Sequence, residues 1–201
     1  NIFVNKVKMK NLLIIGGSKF IGKAFANYFN FQNKFKNLNI TIISKKKIYL
    51  PKKNKNILII KKNFKNMSKL PNCDYILYCL RGESIKDDNK LFSLFEKKLL
   101  KLRIRPKVIF TSSGSVYGVN NNKKKIKESK KIQILNVENM VKYKKKWSKQ
   151  KTNMERNFYL LSKKNYKILI LRMFSFIGIN LIPQDYAPSS FIKFGTKEKP
   201  I

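Results

Sequence analysis

The sequence predicts an α/β protein built on a doubly wound parallel sheet, and three observations predict it. Short apolar runs rich in Ile and Leu recur along the chain, they are nearly continuous rather than alternating, and helical patterns separate them. Continuous apolar runs suit strands buried on both faces, as in a parallel sheet covered by helices. Strand and helix patterns taking turns read as βαβ units. A length of 201 residues is enough for one domain with a proper core.

The elements follow in order. Residues 1–8 are expected to lie outside the fold as a disordered extension, and Met9 opens the first structured stretch. The first strand, Asn11–Ile15, runs into a glycine-bearing turn, and the first helix covers Phe20–Phe31. Strands are expected at Asn39–Ile43, Ile57–Lys61 and Tyr75–Leu80. A helix over Asn89–Leu102 leads to a strand at Lys107–Thr111. The Lys/Asn-rich stretch Asn120–Lys131 reads as a solvated loop. A long helix from about Asn139 to Ser162 precedes the last strand, Lys167–Arg172. On that helix Met140, Tyr143, Trp147, Met154, Phe158 and Leu161 keep the three-or-four spacing of an apolar stripe. Lys151 falls on the same stripe, so it either snorkels at the edge or is placed there for a purpose.

Composition removes several classes of function. The chain contains no histidine. A Ser-His-Asp triad, a histidine acid or base and most catalytic zinc sites are therefore excluded. Cys73 and Cys79 lack metal-site spacing and suit a reducing compartment, so no metal is expected. No apolar run approaches the roughly 18–20 residues of a membrane span. Nothing at the start has the form of a secretory signal, and a cytoplasmic location is expected. The net charge is +36, yet only five of the 46 basic residues are arginine. Lys, Asn and Ile, all with A/T-rich codons, dominate the composition, so base-composition bias accounts for much of the charge. A polyanion-binding surface is the other reading, although nucleic-acid readers usually use Arg forks.

One motif carries chemistry. Gly16-Gly17-Ser18-Lys19-Phe20-Ile21-Gly22 stands between the first strand and the first helix. A turn of this kind aims free backbone N–H groups and the positive helix end at a diphosphate, and glycines permit the close approach. The other reading is an ordinary glycine-rich βα turn.

With its neighbours the motif resembles the fingerprint of extended short-chain dehydrogenases/reductases, the nucleotide-sugar epimerase and dehydratase group. Residues 73–80 resemble that family's fourth strand. Val108-Ile109-Phe110-Thr111-Ser112-Ser113-Gly114-Ser115-Val116-Tyr117-Gly118 resembles its fifth strand and the loop with the catalytic Ser or Thr. Leu171-Arg172-Met173-Phe174-Ser175-Phe176-Ile177-Gly178 resembles its sixth strand and the start of the substrate region. The likeness spans about Met9 to Ile201. It implies a Rossmann-type six-stranded sheet of order 3-2-1-4-5-6, with NAD or NADP across the carboxyl ends of the strands. A cofactor domain over 9–175 and the beginning of a truncated substrate region over 176–201 follow.

The resemblance also implies roles. Ser113 takes the catalytic Ser/Thr position, and Lys151 the catalytic lysine that also binds the cofactor ribose. Gly16, Ser18, Lys19, Phe20, Ile21 and Gly22 would hold the dinucleotide. So would Ser44 and Lys45 after the second strand, Asn63 and Phe64 after the third, and Leu80 and Arg81 after the fourth. Ser115, Ser175 and Ser190 would contact a nucleotide-sugar substrate, and a homodimer is compatible. Three departures stand out. Lys19 replaces the commoner middle glycine. Ser44-Lys45 replaces the acidic residue that holds a 2′-hydroxyl, which tilts the cofactor toward NADP. Most consequentially, Trp147 stands four residues before Lys151, where the family has its acid/base tyrosine. Indole exchanges no proton near neutral pH. The sequence therefore reads as an epimerase/dehydratase-like enzyme with impaired catalysis. The alternative is a non-catalytic RNA-binding protein on the same fold, and a decayed copy that folds without acting is the third reading.

Overall fold

The computed structural model describes residues 9–18, 20–31, 37–50, 55–118 and 142–174. The expected extension over 1–8, the loop Asn120–Lys131, Lys19, Ser175, Ser190 and the expected substrate region over 176–201 lie outside the described residues. Six strands form one parallel sheet: β1 (Lys10–Ile15), β2 (Leu38–Ser44), β3 (Ile57–Lys61), β4 (Tyr75–Tyr78), β5 (Lys107–Ser113) and β6 (Ile168–Met173). Their order is β3-β2-β1-β4-β5-β6, as expected. In register, Leu12 of β1 lies between Ile40 of β2 and Tyr75 of β4, and Ser113 of β5 lies opposite Met173 of β6.

Successive residues of each strand feed opposite faces of the sheet. Leu13, Ile15, Ile76, Tyr78, Val108 and Phe110 pack against helices α2 (Ile85–Leu99) and α3 (Lys142–Ser162). Leu12, Ile14, Ile40, Ile42 and Leu77 pack with Ala26 of α1 (Phe20–Phe31) on the other face. Fully buried aromatics fill the first layer: Phe110 stacks on Phe158 at 4.5 Å between ring centres, and Tyr78 meets Phe158 edge-on at 5.2 Å. Arrangements of this kind add about 0.5–1.5 kcal/mol per pair beyond the area that they bury.

Helix boundaries follow from local chemistry. α2 begins four residues before the expected Asn89, because Ser84 caps it. The Ser84 hydroxyl oxygen accepts the Asp87 N–H at 3.1 Å, and Asp87 and Asp88 occupy the first turn, where the helix dipole favours negative charge. The chain leaves α3 through Asn165 at φ +63°, a left-handed position that Asn tolerates. On α3, Met154, Phe158 and Leu161 are buried as the stripe predicts, and Trp147 is half-buried. The side chain of Tyr143 and all of Met140 lie outside the described residues. β4 ends at Tyr78 rather than Leu80, since Cys79 and Leu80 turn past the glycine loop.

Candidate active site

The carboxyl edge of the sheet collects almost every described residue singled out in the sequence. At its centre the chain leaves β1 through Gly16 at φ +95°, a conformation open chiefly to glycine. A Cβ there would sit 2.9 Å from the carbonyl carbon of Cys79. One built on Gly22 would lie 2.6 Å from the carbonyl oxygen of Gly16. These two positions hold β1, β4 and the first turn of α1 at backbone contact. The N–H groups of Gly16 and Gly17 both donate to the Ile43 carbonyl, at 3.0 and 3.2 Å. Gly17 was no candidate, yet a Cβ on it would meet Ile42 Cγ2 at 2.2 Å, so packing against β2 requires glycine there as well. Ser18 and Ile21 lie partly exposed in this turn; of Phe20 only the backbone is described.

At the next strand junction, β5 ends in Ser113, which caps a single 3-10 turn over Gly114–Tyr117. Ser113 Oγ accepts the Ser115 N–H at 3.2 Å and the Ser115 hydroxyl at 3.0 Å. Both lone pairs are thereby engaged, and the Ser113 proton has no acceptor among the described residues. Ser115 thus serves Ser113 rather than pointing elsewhere. Its carbonyl accepts from the buried Ser148 hydroxyl at 2.6 Å, which ties the turn to α3. Behind it lies a charged anchor. Ser112 donates to Glu155 Oε1 at 2.5 Å, and Arg172 donates to Glu155 through Nε at 3.1 Å and Nη2 at 2.8 Å. Arg172 also donates to the Tyr117 hydroxyl at 2.9 Å. The bond to Glu155 raises the Arg172 pKa, so the guanidinium stays charged.

Lys151 is buried, not snorkelling. Its Nζ donates to the Thr111 carbonyl at 2.6 Å and lies 4.9 Å from the centre of the Phe110 ring. Burial pushes the amine down from 10.5 to about 8, against the opposing pull of Cys79, Asp88 and Glu155. Burial also pushes the Cys79 thiol up to about 12, which keeps it protonated and inert at neutral pH. One turn before Lys151 on α3, the Trp147 ring centre lies 5.0 Å from Nζ, and the exposed Arg81 guanidinium lies 4.4 Å from that centre. The Arg81–Trp147 stack joins residues 66 apart in sequence, and nothing in the sequence signalled it. Gln150 was missed too: it donates to Asp88 Oδ2 at 3.0 Å, while Asp88 Oδ1 accepts the Gly82 N–H at 2.6 Å. That bridge fixes the β4–α2 loop to α3.

The remaining candidates are more scattered. Ser44 is buried at the end of β2 and its hydroxyl donates to the Lys46 carbonyl at 2.6 Å, while Lys45 is exposed beside it. Asn63 caps a 3-10 turn through Lys65 N–H at 3.1 Å. Phe64 sits in the core with its ring beneath the Lys98 ammonium, so only its backbone remains for a ligand. Leu80 packs against the α2–α3 core layer. A groove of about 400 Å³ lies instead at the amino ends of the strands, lined by Lys10, Leu12, Phe29, Asn37, Leu38, Tyr75 and Ile109. It contains none of the candidates and no converging titratable groups. Among the described residues no cluster of His, Cys, Asp or Glu could hold a metal ion, and no helix is long and apolar enough to cross a membrane.

No family model matches the sequence, and no curated protein matches it. Solved structures do. The NAD complex of dTDP-glucose 4,6-dehydratase from Bacillus anthracis superposes with a TM-score of 0.66 at 15% identity, over 94% of this chain and 62% of that one. ADP-L-glycero-D-manno-heptose-6-epimerase from Helicobacter pylori gives 0.62 at 18%, over 87% and 58%. Vestitone reductase from alfalfa, Medicago sativa, gives 0.63 at 14%, over 82% and 56%. This chain therefore spans little more than half the length of these three proteins. At such identities the likeness is one of fold. Together with the strand order, it shows that the chain has the six-stranded Rossmann-type fold of the extended short-chain dehydrogenases/reductases that its sequence resembles.

Proposed function

We infer that the chain binds NAD or NADP along the carboxyl edge of the sheet and is an epimerase/dehydratase-like protein acting on a nucleotide-sugar, impaired in its proton transfer by Trp147. One observation carries the reading. Gly16 and Gly22 leave no room for a Cβ where β1, β4 and α1 meet, and Gly17 none against Ile42 of β2, which brings the first turn of α1 to backbone distance from the crevice. Such a cradle suits a diphosphate at a helix N-terminus. The other groups fit the same ligand. Lys151 keeps two N–H bonds for ribose hydroxyls after serving Thr111, and Ser113 keeps its proton for a substrate oxygen. Lys45, exposed beside Ser44, supports a 2′-phosphate and hence NADP.

When bound, the nicotinamide supplies hydride transfer. What this chain supplies is orientation: Ser113 polarises the substrate oxygen and Lys151 fixes the ribose. What it lacks is the phenol at position 147. A positioned acid or base contributes roughly 10²–10⁴-fold. Calorimetry with NADH and NADPH tests binding, and Gly16→Val should abolish it. Absorbance of the nicotinamide with a panel of nucleotide-sugars tests turnover, which Trp147→Tyr should raise within that range. Brisk turnover by the unaltered chain would overturn the impairment. The competing RNA-binding reading draws on the +36 charge. Weak, sequence-independent retention lost steeply with salt is the expected filter-binding result, and tight selective binding at physiological salt would promote that reading.

A further inference from the structure

Two cations approach Trp147, and among the described residues neither is within ion-pair distance of a carboxylate. The Arg81 guanidinium lies 4.4 Å from the indole centre and Lys151 Nζ lies 5.0 Å from it. Three of the carboxylates on the surrounding elements are engaged elsewhere, and Glu83, on the same loop as Arg81, is exposed. Asp88 accepts from Gly82 and Gln150, Asp87 accepts from the Ser84 hydroxyl at 2.9 Å, and Glu155 holds Arg172. Among the described residues neither Arg81 nor Lys151 forms an ion pair. Arg81 is also the one arginine of the chain at this edge without a carboxylate, since Arg172 is committed to Glu155.

An aromatic face attracts a guanidinium placed over it, and the N–H groups of the guanidinium stay available to a further ligand. Their fork matches the two oxygens of a carboxylate or phosphate. A second positive charge at the same ring repels the first, and an oxyanion between them would relieve the repulsion. We propose that Arg81, laid on Trp147, and Lys151 form a binding site for a carboxylate or phosphate group of the molecule that enters the crevice. This deepens the reading of Trp147 as the residue at the reacting end, and it rests on that reading for where the group lies. The tryptophan that removes the acid/base thereby builds an anion site in its place. A neutral sugar ring has no group for it; a sugar acid or a sugar phosphate does.

The lone tryptophan of the chain is Trp147, so its emission reports on this site alone. The test titrates the full chain with glucuronate, inorganic phosphate and, as the neutral control, glucose, at constant ionic strength and without dinucleotide. Saturable change with glucuronate or phosphate, and none with glucose, is expected. Arg81→Gln should raise the half-saturating concentration at least tenfold. Arg105→Gln, which removes the arginine 5.6 Å from the Tyr166 ring at the far end of the sheet, should leave it unchanged. Saturation by phosphate alone identifies a phosphate-bearing ligand, and saturation by glucuronate identifies a carboxylated one; each supports the site. Equal responses to glucose and glucuronate, silence with both anions, or an Arg81→Gln protein that titrates like its parent would overturn it. Arg81 is exposed, and a thermal melt verifies that the variant folds. Lys151 and Arg81 are also expected beside the dinucleotide, so the two sites are separated at the glycine turn: Gly16→Val should lose the dinucleotide in calorimetry and keep the anion titration.

Discussion

The β1–α1 turn and the β5–α3 corner face the same edge of the sheet but are built from different materials. At the first, backbone touches backbone at Gly16 and Gly22, with a positive φ at Gly16 and Cβ distances of 2.9 and 2.6 Å, and Gly17 clears the Ile42 side chain. At the second, side chains carry the geometry: Ser112, Glu155, Arg172 and Tyr117 form a bonded row, and Lys151 reaches across to Thr111. The difference teaches where substitution is tolerated. A backbone-built end admits no replacement without moving a strand. A side-chain-built end keeps its anchor while the residue in front of it varies.

That contrast can be broken from either side. The largest effect belongs to the charged anchor. Glu155→Ala leaves Arg172 without its carboxylate, and a loss of about 3–5 kcal/mol is expected from the denaturant midpoint. A loss below about 1 kcal/mol would mean that side chains do not hold this end. Next comes Lys151. Its amine is lowered to about 8 from 10.5, so between these values the unfolded chain holds a proton that the folded chain has released. Stability contributed by this group therefore rises with pH across that window, by up to about 3 kcal/mol. Cys73 and Cys79, both raised from 9.0 to about 12, work in the opposite direction above pH 9. The difference between wild type and Lys151→Met isolates the lysine, and a flat difference from pH 7.5 to 10.5 would refute it.

At the backbone end, Gly16→Ala is expected to cost about 1–3 kcal/mol through its φ alone, with dinucleotide affinity lost beyond that. An alanine variant that binds and melts like the parent would show that the turn has slack. Smallest is Ser84→Ala, which removes the cap of α2 in the loop that carries Arg81. About 1 kcal/mol of stability should go by thermal melt.

All six strands were legible because a doubly covered parallel sheet writes itself as nearly continuous apolar runs, of which Leu12–Ile15 is an example. The start of α2 was not, since Ser84 and the two aspartates of its first turn precede any apolar periodicity. Among the candidates, Gly16 and Gly22 stood out through a motif whose spacing is local, and Ser113 and Lys151 through the family resemblance alone. Arg81 was named among the candidates, but its seat on Trp147 was hidden: stacking between residues from a loop and a distant helix leaves no spacing to read. Phe64 shows the converse. Its place after β3 marked it for a ligand, while its side chain simply completes the core.

The position of β1 in the sheet has a consequence for synthesis. β1 pairs with β2 on one side, yet its other partner, β4, begins more than sixty residues later. Once β3 has emerged from the ribosome, three strands can pair while β1 keeps one apolar flank unfilled. Translation at about 5–20 residues per second leaves that flank open for on the order of one to a few seconds before Tyr78 arrives. Leu12, Leu13, Ile14 and Ile15, no more than 7% exposed in the finished protein, are then a template for another nascent chain. The stretch most secure in the folded molecule is the one most in need of a chaperone while it is being made.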